Sequence, residues 1–329
     1  MQPPILSINI PTHNRAKYLN ELLNQLCGQV DKFALASKLS INIYDNASSD
    51  GTQAVCKRHK RLVNYYRNEQ NCGADANILQ SYALAKTPYV WVLGDDELVT
   101  ENTLFRILTE LRLASPAMII LNDSNYNRLN YFPVVFSDYF SLVNHALMAN
   151  PHFLIAHSLI SLNVVRSNIF NHELARSMLS KSFYPHFIGL IDGVLHSQQT
   201  VIVHESKTII VRRHRAKIHT FDPSKGGHID DMGASIKSSQ VKYLQWLLRR
   251  SCVNTNKAAT ILLNNLDNNP DSLHDFYLMC SADSAETKIK LLRSLGKRIR
   301  RLQHFISRIK INTQNGITET PSQFNLDIQ

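Results

Sequence analysis

Cysteine is scarce in this chain, and the five present (Cys27, Cys56, Cys72, Cys252 and Cys280) are scattered, odd in number and never in CxxC spacing. That excludes a zinc knuckle and a disulfide framework, and it points to a reducing compartment. The pairs His152–His157 and His214–His219 lack zinc-ligand spacing as well. No apolar run approaches the roughly 20 residues that cross a bilayer. Met1 to Leu6 shows no basic segment leading into an apolar one, so no signal peptide is expected. Three common motifs are missing too: GxGxxG at the first strand–helix turn, GxxxxGKS/T anywhere, and GxSxG. Dinucleotide-binding, P-loop and hydrolase-elbow readings lose their main support. There is no internal repeat.

What is there is an ordinary globular composition with one anomaly. A chain of 329 residues with 44% apolar content holds one large domain plus an appendage around a substantial core. Mean hydropathy is -0.19. The anomaly is charge, +10 overall with a pI of about 9.4, which admits polyanions or anionic membranes as partners.

Four chemically loaded loops follow short apolar runs in the first third. Ile8-Asn9-Ile10 leads into Pro11-Thr12-His13-Asn14-Arg15, and Ile41-Asn42-Ile43-Tyr44 leads into the segment Asp45 to Thr52. Asn64-Tyr65-Tyr66-Arg67 leads into Asn68 to Gly73, and Tyr89-Val90-Trp91-Val92-Leu93 leads into Gly94-Asp95-Asp96-Glu97. Loops at the carboxyl ends of parallel strands converge on one edge, where ligands bind. The pattern gathers a polar, carboxylate-rich site from distant segments, as an enzyme does.

From Ser7 to Leu121 strand and helix alternate. Tyr18, Leu19, Leu22, Leu23, Leu26 and Val30 have helical spacing; so do Ile78, Leu79, Tyr82 and Leu84, with Asp75 placed as N-cap, and Leu104, Ile107, Leu108 and Leu111 up to Ser115-Pro116. A buried strand follows over Ala117 to Leu121. The pattern implies βαβ units and a parallel sheet. Val201–His204 and Thr208–Val211 read as a strand pair closing the sheet. His219 to Gly233 reads as a mobile loop, residues from Ser238 onward as helical, and Asn312 to Gln329 as a disordered tail.

The chemistry centres on Asp95-Asp96-Glu97. Three adjacent carboxylates repel one another unless a cation or donors compensate, and hard oxygens favour Mg²⁺ or Mn²⁺ held together with substrate phosphates. Taken alone the triplet is a solvated acidic turn with a capping Asp; the strand before it and the three companion loops favour the site. Asp45 to Thr52 reads as Asx turns, a helix cap and a glycine at positive φ, which leaves Asp45 over as an acceptor for a base imide or a ribose. Pro11 to Arg15 is cap-like by itself, and Arg15 is equally readable as a surface residue.

Together these segments, with Asn71-Cys72-Gly73 and Trp91 to Asp96, resemble the family 2 glycosyltransferases of GT-A fold. Within that family the chain is most similar to abequosyltransferase-type enzymes of bacterial O-antigen or capsule assembly. The resemblance covers about residues 5 to 121. It implies an inverting enzyme that takes a UDP-, GDP- or CDP-type nucleotide-diphosphate sugar and needs a divalent metal. By position, Thr12 and Asp45 meet base and ribose, with Arg67 or Asn71 nearby. Pro11, Asn14, Arg15, Asn46 and Gly73 complete the donor side. Asp95 meets the ribose or a metal-bound water, and Asp96 binds the metal. Gly94 stands where the commoner LDxDD form has its first acid, so the metal's contact among Asp95, Asp96 and Glu97 stays open. Late residues near metal and diphosphate in similar enzymes point to Arg213 and His214, the latter as a metal ligand.

An inverting transfer also needs a base for the acceptor hydroxyl. No motif places it; His186 and Asp192 are the candidates, each equally readable as a packed side chain. Between Glu286 and Ile311 an apolar stripe lies beside a basic face, the pattern of a helix lying on an anionic membrane, with packing on the protein body or in a homodimer as the alternative. The expected layout is a GT-A domain over 1–220, a loop and helical extension over 221–285, the basic helix over 286–311 and the tail over 312–329. The expected acceptor is a glycan or lipid-linked oligosaccharide at the inner face of the cytoplasmic membrane. A sugar-nucleotide pyrophosphorylase is the enzymatic rival, but its Gly-rich N-terminal loop is absent. A nucleic-acid-binding protein is the non-enzymatic rival, and it sits badly with an acidic active edge.

Overall fold

The computed structural model describes residues 3–123, 134–139, 141–142, 159–179 and 185–210. The chain divides into two compact units, one of 1–144 with 156–222 and one of 145–155 with 223–329. Every described residue belongs to the first. The loop at 219–233, the helical extension, the basic helix over 286–311, the tail, Arg213 and His214 lie outside the described residues.

The first unit starts as a run of βαβ turns. Strand β1 (Leu6–Thr12) leads into α1 (Ala16–Lys32), β2 (Leu39–Asp45) into α2 (Thr52–Arg58), and β3 (Val63–Arg67) into α3 (Ala74–Ala83). Strands β4 (Tyr89–Val92) and β5 (Leu98–Val99), helix α4 (Thr103–Ala114) and strand β6 (Met118–Asp123) follow. Then come β7 (Val134–Phe136), β8 (Asn163–Arg166), α5 (His172–Ser177), α6 (Pro185–Ser197) and β9 (Val201–Ile210), with 3-10 turns at Ile160–Leu162 and Ser167–Ile169. Among the described residues no helix is long and apolar enough to cross a membrane.

The sheet runs β3-β2-β1-β4-β8-β6-β9-β5, with β7 also on β9. Strands β1 to β4 are mutually parallel, but β8 is antiparallel to both β4 and β6, and β5 and β7 are antiparallel to β9. The expected all-parallel sheet is therefore mixed. The expected strand pair at 201–211 is one continuous strand through Ile210. Strand β6 follows it from Val201 to Ile209, while on its other edge β7 pairs with the first residues and β5 with the last.

One face of the parallel half is apolar. Leu6, Ile8 and Ile10 alternate toward the buried stripe Leu19, Leu22, Leu23 and Leu26 of α1, beside Ile41, Ile43, Trp91 and Leu93. The other face carries an asparagine row. Asn9, Asn42 and Asn64 stand in register on three adjacent strands. Asn64 Nδ2 donates to Asn42 Oδ1 (2.9 Å), Asn42 Nδ2 to Asn9 Oδ1 (2.8 Å), and Asn9 Nδ2 to the Ser81 carbonyl of α3 (2.5 Å). The buried amides of Asn9 and Asn42 are tolerated there because each passes its hydrogen bond on, and the row ends at the exposed Asn64.

Helix α3 starts from Gly73, whose φ of 87° only glycine adopts cheaply. Asp75, expected as the cap, lies in the first turn instead; the Asn71 carboxamide takes the Gly73 N–H at 2.8 Å and sets the helix entry. On α6, Gly189 and Gly193 sit one turn apart. A Cβ at 189 would lie 2.6 Å from the Asn171 carbonyl oxygen, and one at 193 would collide with that of Ile169. The glycines let α6 press against the segment that opens α5.

Candidate functional site

The four loops meet at the carboxyl ends of β1, β2, β3 and β4, and hydrogen bonds stitch them together. Asn14, at φ 54°, donates its N–H to Ser48 Oγ (2.8 Å) and accepts the Ser49 N–H on Oδ1 (2.7 Å). The Asn46 N–H bonds the Thr12 carbonyl at 2.9 Å. Asn46 Nδ2 donates to Asn71 Oδ1 (2.8 Å) and Asn46 Oδ1 accepts the Cys72 N–H (2.9 Å), joining the second loop to the third. Asp50 closes the junction with α1. Burial pushes its carboxyl up, but hydrogen bonds from Thr52 and Ala16 outweigh that and hold it below its usual pKa. The glycine of this loop was expected at positive φ; Gly51 has φ -74°, and Ala47, at φ 60°, makes the left-handed turn instead.

Asp45 is fully buried. Its Oδ1 accepts the Ser48 N–H (2.9 Å), and its Oδ2 accepts the Tyr65 hydroxyl (2.5 Å) and Arg67 Nη1 (3.1 Å). Arg67 also donates to the Ser48 carbonyl at 2.6 Å. Asp45 thus organises the rim, while the half-exposed Arg67 guanidinium is what this corner turns outward. Tyr65 was not singled out from sequence. Its position two residues before Arg67 on the same strand face is the signal that could have found it, and burial beside Asp45 pushes its hydroxyl up to about 12.

The fourth loop holds the carboxylates. Trp91 Nε1 bonds the Ser161 carbonyl (2.8 Å), and the Gly94 N–H bonds Ser161 Oγ (3.0 Å). A Cβ at Gly94 would crowd Glu97 Cγ at 3.2 Å, Ser161 Oγ at 3.3 Å and Asp96 Oδ1 at 3.4 Å. A side chain there would have to push these neighbours back by a few tenths of an ångström, and Ser161 has no signature that sequence reading could use. Asp95 Oδ2 accepts the Thr12 hydroxyl at 2.7 Å. Its Oδ1 lies 3.2 Å from Arg15 Nη1, and the same nitrogen lies 2.6 Å from Asp96 Oδ2. Burial pushes Asp95 up to about 6, while Arg15 and Thr12 pull the other way. Glu97 is buried, whereas the Asp96 side chain is partly exposed.

Two carboxylate oxygens converging on one cationic nitrogen are a donor set suited to a hard divalent ion. Among the described residues no three His, Cys, Asp or Glu surround a common point, so such an ion would take its other ligands from phosphate and water. Thr12, Asn14, Arg15, Asp45, Asn46, Arg67, Asn71, Gly73, Asp95 and Asp96 all lie in the stitched loops, with Pro11 at the end of β1. His186 and Asp192 do not: both are buried in α6, where Asp192 Oδ2 accepts from Asn171 (2.7 Å) and His186 stacks on Tyr82.

Residues 7–160 match the model of the family described as Glycosyl transferase family 2. They form a family 2 glycosyltransferase domain. Abequosyltransferase RfbV of Salmonella typhimurium is 40% identical over 123 residues, covering 36% of this chain and 35% of that protein. Glycosyltransferase GlyG of Streptococcus pneumoniae is 23% identical over 141 residues, 41% of this chain and 45% of that one. The matches thus span less than half the length of these relatives. Among solved structures, S. aureus TarS 1–349 in complex with UDP-GlcNAc superposes with a TM-score of 0.56 at 12% identity, over 91% of this chain and 82% of that one. A second S. aureus TarS structure gives 0.52 at 13% identity, over 91% of this chain and 50% of that one. The family 2 domain has the GT-A fold.

Proposed function

We propose that this chain is an inverting glycosyltransferase that moves a sugar from a nucleotide-diphosphate donor, with a divalent cation, onto a glycan acceptor. The observation that carries the reading is the meeting of Asp95 and Asp96 at one cationic point, beside Thr12 and the start of α1. Asp95 and Asp96 would hold Mg²⁺ or Mn²⁺, which when bound offsets the charge that grows on the departing diphosphate. Thr12 orients Asp95. Asp45 keeps Arg67 and the Ser48 loop in place on the side where the base and ribose would lie. Arg15, at the N-cap of α1, offers a guanidinium to an anion.

The neighbouring TarS structure holds UDP-GlcNAc, and the Salmonella relative is named for abequosyl transfer; both favour a sugar-nucleotide donor here. A lipid-linked oligosaccharide of a surface polysaccharide, met at the membrane's inner face through the basic segment 286–311, is the acceptor that fits the chain's +10 charge.

The test is calorimetric titration of the purified chain with UDP, GDP and CDP, with and without Mn²⁺, followed by donor hydrolysis. One nucleotide should bind in a metal-dependent manner, and Asp96→Ala should abolish turnover with the fold intact by circular dichroism. Near-wild-type turnover of Asp96→Ala after EDTA treatment and Mn²⁺ reconstitution defeats the assignment.

A further inference from the structure

Arg15 occupies the place that the divalent cation would take. Its Nη1 bridges Asp95 Oδ1 and Asp96 Oδ2, and the other Asp95 oxygen is already committed to Thr12. A metal held by Asp95 and Asp96 together would therefore compete with Arg15 for the two oxygens it bridges. A dication on those oxygens would set a second positive charge against the guanidinium, and like charges that close repel strongly. The two occupants exclude each other.

The arginine is built to leave. It stands at the N-cap of α1, its side chain is 44% exposed, and its described ion pairs are with these two carboxylates alone. Asp95, by contrast, is held from behind and buried.

We infer that Arg15 is a resident counter-ion that stands in for the divalent cation on Asp95 and Asp96, and that metal binding displaces it toward the phosphates of the incoming donor. The inference rests on the donor reading above and deepens it, because it couples the two ligands. Without nucleotide, a metal must break the Arg15 pairs unaided and binds weakly. With nucleotide diphosphate, the displaced guanidinium gains an anionic partner, so each ligand favours the other. Between turnovers the same guanidinium keeps two neighbouring carboxylates from facing each other uncompensated.

Mn²⁺ affinity of the full chain, read by electron paramagnetic resonance without any nucleotide, tests this. Arg15→Gln and Arg15→Ala should bind Mn²⁺ about tenfold tighter than wild type, as expected when a charge-assisted competitor is removed. Arg15→Lys, which keeps the charge, should stay near wild type. In EDTA the neutral variants should melt earlier than wild type and regain more on adding Mn²⁺. The enhancement of Mn²⁺ binding by nucleotide diphosphate should shrink in Arg15→Gln. Mn²⁺ affinity that is unchanged or weaker in both neutral variants overturns the inference, as does the absence of Mn²⁺ binding in every form. If wild type binds nucleotide with Mn²⁺ while Arg15→Gln leaves metal affinity unmoved, only the counter-ion role fails. If no nucleotide binds in any form, the donor reading and the coupling fall together.

Discussion

The Thr12 hydroxyl donates to Asp95 Oδ2 at 2.7 Å, tying the end of β1 to the carboxylate loop after β4. This bond fixes which oxygen of Asp95 faces the cluster, and it works against the burial that pushes the carboxyl toward neutrality. Thr12→Val keeps the shape and removes the donor. It should lower the unfolding free energy by about 1–2 kcal/mol, the cost of leaving a buried acceptor unpaired, and weaken metal-dependent nucleotide binding. Chemical denaturation and calorimetry read the two effects. A variant equal to wild type in both would mean that Thr12 does not position Asp95.

Asp45 separates two roles by its substitution series. Because its oxygens serve Ser48, Tyr65 and Arg67, Asp45→Ala should weaken nucleotide binding roughly ten- to a hundredfold and also destabilise the fold by about 2–3 kcal/mol, the range for hydrogen bonds to a charged group. Asp45→Asn, which keeps one acceptor, should fall between. Intact stability with lost affinity would instead point to direct contact between Asp45 and the ligand.

The asparagine row is tested at its centre. Asn42→Leu is close in volume but leaves the buried Asn9 Oδ1 without its donor, and should cost about 1–3 kcal/mol. An unchanged urea midpoint would show that water replaces the bonds without penalty.

Glu110 of α4 lies 3.2 Å from His204 of β9, and burial pushes its carboxyl from 4.5 up to about 7, with Arg106 opposing. A folded pKa above the unfolded one means the folded state binds the extra proton between those values. The associated stability is therefore full below about pH 4.5 and is lost as pH rises through about 7. Glu110→Gln should flatten this slope in unfolding curves taken at pH 5 and pH 8. An identical slope in the variant would assign the pH dependence to other groups.

Helices α1, α3 and α4 are legible in the sequence because each has one face on the sheet and one in solvent, which imposes the 3.6-residue stripe. Helix α6 is not. Pro185 to Val194 are all buried, so no polar face marks the period, and its two glycines serve close packing. Strand β9 reads as two strands because its polar centre marks a change of partners rather than a turn. The site's location is legible because polar loops follow apolar strands. Who satisfies whom is not: Tyr65 and Ser161 come from positions with no motif, and the burial of Asp45 depends on its neighbours. The antiparallel β8 arrives from outside the alternating pattern and turns the expected parallel sheet into a mixed one.

The asparagine row also acts as a ruler. Thr12, Asp45 and Arg67 each stand three positions after their asparagine (9 and 12, 42 and 45, 64 and 67) and are themselves in register across the same three strands. A one-residue slip of any strand would turn its amide to the wrong face and, in the same motion, carry its site residue out of line. The sheet interior thus proofreads the alignment of the rim: a chain that has made its core bonds correctly has already set the spacing at which a ligand is met.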